Sequence, residues 1–364
     1  MTNRILHIVP SLGYVSGISK TLMNYYELID KDMFQFDFMY INETDDNYED
    51  VIKKMGGNCF HIRNIKNFFK FRKYIKDFSL AHKNEYSIIH LHMPFLFVLF
   101  YPLKKMLNAK IVLHAHSTKY GDTNFTNIRN KILYKMYLRK ADCFFACSKL
   151  AGESLFKKDF IENGFVMYNI TNIKELEKKI DKRIAKSNLN LTDCFVIGHV
   201  GIFRYPKNHR FIIDIFEKLL LLKPNSKLLL VGDGDLKKDI EQYAKNKNIY
   251  ESILFAGAVN DVYKYYSAMD VFVFPSIFEG FAMALVEAQG FSIPCVASNI
   301  MIPEVNINKE NNVFLSLDDT ADKWANSIIN IANKSSRKCR FDFNNDIYYR
   351  VKALEKEYLK IIGQ

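Results

Sequence analysis

The sequence predicts an α/β protein of two domains, each built on a doubly wound parallel sheet. Three observations lead to this fold class. Apolar runs of strand length alternate with amphipathic stretches of helix length along most of the chain. The alternation is interrupted at 171–191, where the sequence is charged and contains no aromatic residue. The total of 364 residues is enough for two domains of ordinary size.

The first alternating series covers 1–170 and the second covers 192–345, so 171–191 is predicted to connect two domains. Predicted strands of the first domain lie at 4–10, 34–41, 59–62, 86–92, 110–116, 142–147 and 165–169. Those of the second domain lie at 195–200, 227–231, 253–255, 271–274, 294–297 and 313–314. A predicted terminal helix at 346–364 is free to pack back on the first domain.

Helical stretches separate the predicted strands, as the crossovers of a parallel sheet require. In the first domain they lie at 20–28, 48–55, 63–76, 95–107, 127–138 and 150–156. In the second domain they lie at 208–222, 236–245, 262–268, 282–289 and 320–333. Before the first helix, Gly13 and Gly17 allow a tight turn, which lacks the GxGxxG spacing of dinucleotide-binding folds.

The composition limits the class of protein and of its partners. Hydrophobic residues make up 49% and charged residues 25%, as in a globular chain. We expect neither a signal peptide nor a membrane span, because the longest apolar run, 93–103, is short and contains two prolines. The net charge of +11 favours an anionic partner, but we find no nucleic-acid-binding motif and expect no nucleic acid. The six cysteines are scattered and are expected to be reduced thiols.

The stretch 63–76 mixes basic residues with aromatic and aliphatic ones. A helix of this composition can lie on an anionic membrane, with its rings in the interface and its lysines on the headgroups. It can equally pack its rings on the sheet and leave a solvated basic face. The sequence leaves both interpretations open.

The stretch 271–290 predicts a site for a phosphate group. Its apolar start is typical of a buried parallel strand, which Pro275 ends because proline cannot donate to a strand ladder. The helix that follows begins with unpaired amides that carry a partial positive charge. Glu279 precedes these amides and Glu287 follows them. Carboxylates on both sides of an anion-binding helix start suit a nucleotide-sugar, which has a diphosphate between two sugars.

Other polar segments also follow predicted strands. In open parallel sheets, ligands bind beyond the carboxyl ends of the strands. The segments found there are Gly13 with Gly17, His116, 201–207, 232–234 and 256–261. If the two sheets face each other across a cleft, these groups converge on one ligand.

Together these residues resemble the GT-B glycosyltransferases of family 4, in particular bacterial exopolysaccharide and capsule enzymes. The resemblance covers nearly the whole chain. It rests on Glu279-Gly-Phe281 with Glu287-Ala288, Leu229 to Leu236, His199 to His209, His114-Ala-His116, Cys147-Ser148, and Gly13 with Gly17. It implies two Rossmann-like domains that face each other across a cleft, with the acceptor in the first and the nucleotide-sugar in the second.

The resemblance implies a role for each matching position. Glu279 is expected to bind donor-sugar hydroxyls and to face the anomeric carbon. His116, or alternatively His114, is expected to hydrogen-bond the donor sugar, and Glu287 to bind the ribose. The other implied donor contacts are Gly280, Phe281 and Ala282 at the sugar, Gly17, Lys207, Met283 and Ala284 at the diphosphate, Gly232 in the Gly-Asp-Gly turn, and Val259 near the base.

One position departs from the family pattern. Many relatives have Arg directly after the glycine of the 201–207 loop, where this chain has Ile202. Arg204 presents its side chain on the same side if the loop is extended, so we hypothesise that Arg204 and Lys207 form a cationic clamp. Fixed amides and cations can neutralise a departing diphosphate, so we expect no metal ion and no other cofactor.

The sequence therefore predicts a retaining glycosyltransferase that moves a sugar from a nucleotide-sugar to a saccharide acceptor in exopolysaccharide or capsule biosynthesis. A UDP-sugar donor and retention are implied by the resemblance. We expect a lipid-linked acceptor, and an enzyme that lies in the cytoplasm, peripheral on the inner face of an anionic membrane. Two alternatives stay open: a nucleotide-sugar epimerase or phosphorylase of the same fold, and a non-catalytic subunit that partners a transferase.

Overall fold

The chain divides into two compact units with one all-parallel sheet each. The first unit comprises Met1–Ile170 with Asn345–Gln364, and the second comprises Thr171–Asn344. The computed structural model describes residues 2–14, 16–63, 65, 67–120, 124–137, 140–169, 178–279, 281–301, 303–334 and 343–364. The two parallel sheets confirm the predicted fold class.

The sheet of the first unit has seven strands in the spatial order β3-β2-β1-β4-β5-β6-β7. The strands are β1 (Asn3–Ser11), β2 (Phe34–Asn42), β3 (Cys59–His61), β4 (Tyr86–Leu91), β5 (Lys110–Ala115), β6 (Cys143–Ala146) and β7 (Gly164–Val166). The helices between them are α1 (Gly17–Leu28), α2 (Glu49–Lys54), α3 (Phe68–Ala81), α4 (Phe97–Met106), α5 (Asn124–Tyr137), α6 (Lys149–Phe156) and α7 (Lys158–Asn163).

The sheet of the second unit has six strands in the order β10-β9-β8-β11-β12-β13. The strands are β8 (Phe195–Val200), β9 (Ser226–Val231), β10 (Ile253–Gly257), β11 (Val271–Phe274), β12 (Cys295–Ser298) and β13 (Asn312–Leu315). The helices are α8 (Lys182–Asn188), α9 (His209–Leu222), α10 (Lys237–Asn246), α11 (Val262–Ala268), α12 (Met283–Gly290) and α13 (Ala321–Lys334). The terminal helix α14 (Phe343–Ile362) belongs, from residue 345, to the first unit.

The second sheet is covered on both faces, as the apolar run of β11 predicts. Val271 and Val273 belong to one buried cluster, which includes residues of α9 and α13. Phe272 and Phe274 belong to another, which includes residues of α11 and α12. Successive strand residues point to opposite faces, so a strand buried on both sides has no polar position.

Two local features differ from the predicted elements. The basic helix of the first unit begins at Phe68 rather than at residue 63, because the Asn67 side chain accepts a hydrogen bond from the Lys70 amide and caps it. Helix α8 lies in the stretch that was predicted to connect the domains. Lys186 of α8 is buried against Asp270, with 2.6 Å between Nζ and Oδ2, so α8 packs on the second unit.

Among the described residues, the helices are too short or too polar to cross a lipid bilayer. The five described cysteines, Cys59, Cys143, Cys147, Cys194 and Cys295, are free thiols, in agreement with the prediction. Cys339 lies outside the described residues.

Candidate functional site

Lys207 and Glu279 form an ion pair at the carboxyl edge of the second sheet. Lys207 Nζ lies 2.7 Å from Glu279 Oε1, and the two side chains are 18% and 16% exposed. Lys207 Nζ also lies 4.8 Å from the centroid of the Phe274 ring. The Ile277 amide donates to the Pro206 carbonyl at 2.8 Å, which holds the two loops together. A cation and a carboxylate that are 72 residues apart in sequence therefore form one arrangement.

The loop after β11 leads into helix α12, whose N-cap residue is Ala282. No residue of the described first turn of α12 is acidic, so the partial positive charge of the helix start is not neutralised locally. The Met283 amide donates to the Phe281 carbonyl at 2.9 Å and would have to leave that bond to reach a diphosphate. Phe281, Ala282 and Ala284 pack against the core of the unit, and Gly280 lies outside the described residues.

Glu287 lies inside helix α12 and is 6% exposed. Its Oε2 accepts a hydrogen bond from the Tyr266 hydroxyl at 3.0 Å. The same hydroxyl lies 3.2 Å from the Ala284 carbonyl. Tyr266 is itself fully buried, so it holds the Glu287 carboxylate in a fixed orientation.

Gly232 follows β9 in a backbone conformation that only glycine adopts readily. Its φ is +139°, and a Cβ atom there would lie 2.1 Å from the Gly201 carbonyl oxygen. The loops after β8 and β9 can pack this closely because position 232 has no side chain. Val259, in the loop after β10, is half-buried against the same core cluster as Phe281.

Arg204 is placed differently from Lys207. Its side chain is 60% exposed, and its Nε lies 3.9 Å from Oδ2 of Asp235, which is 88% exposed. Ile202, at the position where relatives have Arg, is 41% exposed. The hypothesised clamp therefore has one fixed cation, Lys207, and one solvated cation, Arg204.

Gly17 is the exposed first residue of helix α1 in the first unit. The Ser16 hydroxyl caps this helix by accepting from the Ser19 amide at 3.3 Å. A Cβ atom at position 17 would meet nothing within 4 Å. Gly17 thus leaves open space at a helix start, whereas a Cβ at Gly13 would lie 2.9 Å from the Thr44 hydroxyl.

The two histidines proposed for the donor sugar differ in exposure. His114, in β5, is fully buried. His116 follows β5 and is half-buried, and its Nε2 lies 2.8 Å from His92 Nδ1. Desolvation of the ring by the surrounding protein lowers the pKa of His116 to about 3, so the ring is neutral at pH 7. Of the two, only His116 reaches the surface of its unit.

Two family models match the chain, one in each unit. "Glycosyltransferase Family 4" matches residues 34–173, and "Glycosyl transferases group 1" matches residues 194–334. The two matches follow one another along the chain, and they include six of the seven strands of the first sheet and all six strands of the second. They also include the positions described above, except those before residue 34. The chain belongs to the group 1, family 4 glycosyltransferases.

The relatives of this glycosyltransferase include bacterial enzymes that match over nearly their whole length. It is 27% identical to the putative glycosyltransferase EpsF of Bacillus subtilis, over 93% of this chain and 90% of the relative. It is 25% identical to the UDP-Gal:alpha-D-GlcNAc-diphosphoundecaprenol alpha-1,3-galactosyltransferase of Escherichia coli, over 99% and 97%. The crystal structure of Anabaena HepE in complex with UDP and glucose superposes with a TM-score of 0.76 at 17% identity, covering 100% of this chain and 98% of HepE. The transferase therefore has the GT-B fold.

Within each unit, some of the predicted site residues are in contact and others are not. Lys207 contacts Glu279 directly, whereas Arg204 points to Asp235. Tyr266 was not predicted, because the helix that contains it has three tyrosines and nothing in the sequence distinguishes the one that contacts Glu287. The contact of His92 with His116 was not predicted either, and it could have been found only from the pairing of β4 with β5.

Proposed function

We propose that this glycosyltransferase transfers a sugar from a UDP-sugar to a lipid-linked saccharide, with retention of the anomeric configuration, in exopolysaccharide or capsule biosynthesis. The observation that carries the proposal is the Lys207–Glu279 pair beside the start of helix α12. A partly buried ammonium next to the partial positive charge of a helix start suits a diphosphate, and a carboxylate beside it suits the sugar. The complexes of HepE with UDP and the name of the Escherichia coli relative support the choice of donor and acceptor.

In this mechanism the bond between the anomeric carbon and the diphosphate breaks, the oxygen of an acceptor hydroxyl forms the new glycosidic bond, and the departing diphosphate takes up the hydroxyl proton. Lys207 and the first amides of α12 stabilise the negative charge that develops on the departing diphosphate. Glu279 faces the positive charge that develops on the sugar. Glu287, oriented by Tyr266, accepts hydrogen bonds from the ribose hydroxyls. His116, in the first unit, hydrogen-bonds the donor sugar.

The same charges would make a divalent ion unnecessary. Among the described residues, Lys207 contacts one carboxylate oxygen, so its ammonium has further N–H groups for phosphate oxygens. We expect the transfer rate to be unchanged when EDTA is added and when Mg²⁺ is added back. A rate that falls with EDTA and recovers with Mg²⁺ would contradict this part of the proposal.

A face of the first unit suits an anionic membrane surface. Helix α4 packs against both α3 and α5. Phe68 and Phe69 of α3 are 53% and 83% exposed, and Ile128 and Ile132 of α5 are 60% and 59% exposed. Exposed basic residues accompany them: Arg72 and Lys73 on α3, and Arg129 and Lys131 on α5. Of the other rings of α3, Phe71 and Phe78 are buried and Tyr74 is half-buried, so only part of the stretch at 63–76 is available to lipid.

Donor and reaction can be tested without knowing the natural acceptor. Thermal shifts with a panel of UDP-, GDP- and ADP-sugars should show stabilisation by UDP-sugars alone. Incubation with the stabilising donor and lipid-linked saccharides should then give a product whose new linkage keeps the donor's anomeric configuration by NMR. Turnover of the donor to an isomer without acceptor would indicate an epimerase. Absence of both binding and turnover would indicate a non-catalytic subunit.

The membrane face can be tested by flotation with liposomes that contain anionic lipid. Replacing Phe68 and Phe69 with serine should weaken binding at least roughly tenfold, because each buried phenyl ring contributes about 1.5–3 kcal/mol. The matched control replaces Leu221 and Leu222, an exposed apolar pair in the second unit, with serine. Equal loss in both variants, or no binding of the unmodified protein at low salt, would argue against this face.

A further inference from the structure

Five histidines form one cluster in the first unit, towards the carboxyl ends of three neighbouring strands. We call them the histidine cluster: His7 in β1, His90 in and His92 after β4, and His114 in and His116 after β5. The strands lie side by side in the order β1-β4-β5. His7, His90 and His114 are fully buried and His92 is 3% exposed. Only His116 reaches the surface, so the cluster links the interior of the unit to the residue proposed to contact the donor sugar.

Three of these rings form a continuous line of hydrogen bonds, which we call the histidine chain. His7 Nδ1 lies 3.0 Å from His92 Nε2, and His92 Nδ1 lies 2.8 Å from His116 Nε2. The other two rings form a separate line that ends on the terminal helix. There, His90 Nε2 lies 3.1 Å from His114 Nδ1, and His90 Nδ1 lies 2.8 Å from the Tyr358 hydroxyl.

A metal ion is the other use that a group of histidines suggests. Two sets of three, His7 with His90 and His92, and His92 with His114 and His116, have ligand atoms within 4.8 Å of one another. However, the rings of His90 and His92 are stacked, and so are those of His114 and His116, with centroids 4.3 and 4.0 Å apart. Stacked rings direct their lone pairs along nearly parallel planes, whereas a shared ion needs lone pairs that converge. Hydrogen bonding between the rings fits this geometry better.

Each ring of the histidine chain carries a single ring proton. Burial lowers the pKa of His7 to about 3 and the pKa of His92 well below its ordinary value, and the pKa of His116 is also about 3. A neutral imidazole has one N–H and one bare nitrogen. The two hydrogen bonds of the chain therefore allow only two arrangements, in which every proton points towards His116 or every proton points towards His7.

The buried end of the chain distinguishes the two arrangements. His7 Nε2 is buried and has no hydrogen-bond partner among the described residues. If the protons point towards His7, this atom is an N–H without an acceptor. If they point towards His116, it is a bare nitrogen. Buried N–H groups without an acceptor are rarer in proteins than acceptors with an unused lone pair. The arrangement that points outward, to His116, is therefore favoured.

We propose that His7 and His92 are positioning residues that fix His116 as the tautomer with its proton on Nδ1. In this tautomer Nε2 of His116 accepts from His92 and Nδ1–H is the only ring donor left. His116 is half-buried, and the hydrogen bonds between described residues leave its Nδ1 unused, so a ligand can reach this atom. The consequence rests on the proposed function: His116 donates a hydrogen bond to an oxygen of the donor sugar and does not act as a general base.

The test is the tautomer of His116 in the ligand-free protein, read from imidazole ¹⁵N resonances of histidine-labelled protein at pH 7.5. We expect a protonated Nδ1 and a bare Nε2 for His116, and a bare Nε2 for His7. The His116 resonances are assigned by their loss in His116→Asn. A protonated Nε2 on His116 in the unmodified protein would overturn the proposal. This result does not depend on catalysis, so it is distinct from a failure of the proposed function.

A variant pair tests whether His7 acts through the chain. His7→Phe removes the donor to His92 and should convert the single His116 tautomer into a mixture, although His7 does not contact His116. The matched control is His90→Phe, which changes an equally buried ring that stacks on His92 but lies outside the chain. It should leave the His116 tautomer unchanged. An unchanged tautomer in a folded His7→Phe protein would contradict the positioning role, and if that variant does not fold, the measurement on unmodified protein decides.

Discussion

The two units share a parallel sheet and its helical layers, but the carboxyl edges of their sheets differ in charge. The first unit has neutral imidazoles there, held by hydrogen bonds between rings. The second has an ammonium and a carboxylate 2.7 Å apart, with a helix start and a further carboxylate nearby in sequence. Charged groups suit a diphosphate, and neutral donors suit sugar hydroxyls.

The side chains at the two carboxyl edges are also oriented in different ways. Glu279 and Lys207 are oriented by a direct ion pair that a bound diphosphate would compete for. His116 is oriented from the interior of its unit, through His92, by atoms that no ligand reaches. The same fold thus provides two kinds of sheet edge. The charged edge, with Lys207 and Glu279, can adjust to a ligand, and the neutral edge, with His116, is fixed.

The largest expected difference between the two units is the loss of folding stability at low pH. All five members of the histidine cluster in the first unit have lowered pKa values, because burial disfavours their charged forms. Below pH 6.5 the unfolded state binds protons that the folded state does not, so stability falls as pH falls towards about 3. Each such histidine costs up to about 1.4 kcal/mol per pH unit in this window.

The second unit has only two such histidines, His199 and His209. We therefore expect the first unit to lose amide-exchange protection first as pH is lowered from 7 to 5, with roughly two to three times the dependence on pH, because five histidines contribute rather than two. Peptide-resolved hydrogen exchange at each pH measures this. Earlier loss in the second unit, or equal loss in both, would contradict the assignment of neutral histidines to the first.

Lys207→Met should have the next largest effect. It removes the fixed cation from the charged edge while keeping the length of the side chain. We expect kcat/KM for transfer to fall about 10²–10³-fold, as when one preorganised electrostatic group is lost. The control is Lys223→Met, a lysine at the opposite edge of the same sheet, where it lies over the Phe195 ring. A loss below tenfold for Lys207→Met would remove it from the diphosphate site.

The sequence predicted the fold well because buried parallel strands and their helices are local patterns. The apolar run of β11, its end at Pro275 and the helix after it are all set by neighbouring residues. Helix α8 was not predicted, because lysines in a sequence usually indicate an exposed segment. Lys186 is instead paired with Asp270, which lies 84 residues away in the sequence. Charge in a sequence does not reveal a buried partner that is distant along the chain.

The candidate site shows the same limit. The family resemblance selected Glu279, Lys207 and His116, but not what each of them contacts. Strand order brings His92 beside His116, and helix packing brings Tyr266 to Glu287. Positioning residues of this kind have no motif of their own, because the requirement is a location in space and several residue types can meet it.

Tyr266→Phe should have a moderate effect that is confined to the second unit. It removes the hydroxyl that donates to the buried carboxylate of Glu287 and leaves the ring in place. Hydrogen bonds to charged groups contribute about 1.5–3 kcal/mol, so we expect the Kd for the nucleotide to rise roughly tenfold or more. Isothermal titration with UDP measures this, with Tyr265→Phe on the same helix as the control. An unchanged Kd would show that Glu287 needs no support.

Arg204→Ala should have the smallest effect, because this side chain is 60% exposed and faces the solvated Asp235. An exposed charge acts through solvent, so its contribution should be below about 1 kcal/mol and screened by salt. We expect the Kd for UDP to rise about two- to fivefold at low ionic strength and to match that of the unmodified protein in 0.5 M NaCl. A larger change that persists in salt would mean that Arg204 moves onto the diphosphate and completes the clamp with Lys207. Two cations of the charged edge, Arg204 and Lys207, would then change position on binding, whereas His116 in the first unit would keep its orientation.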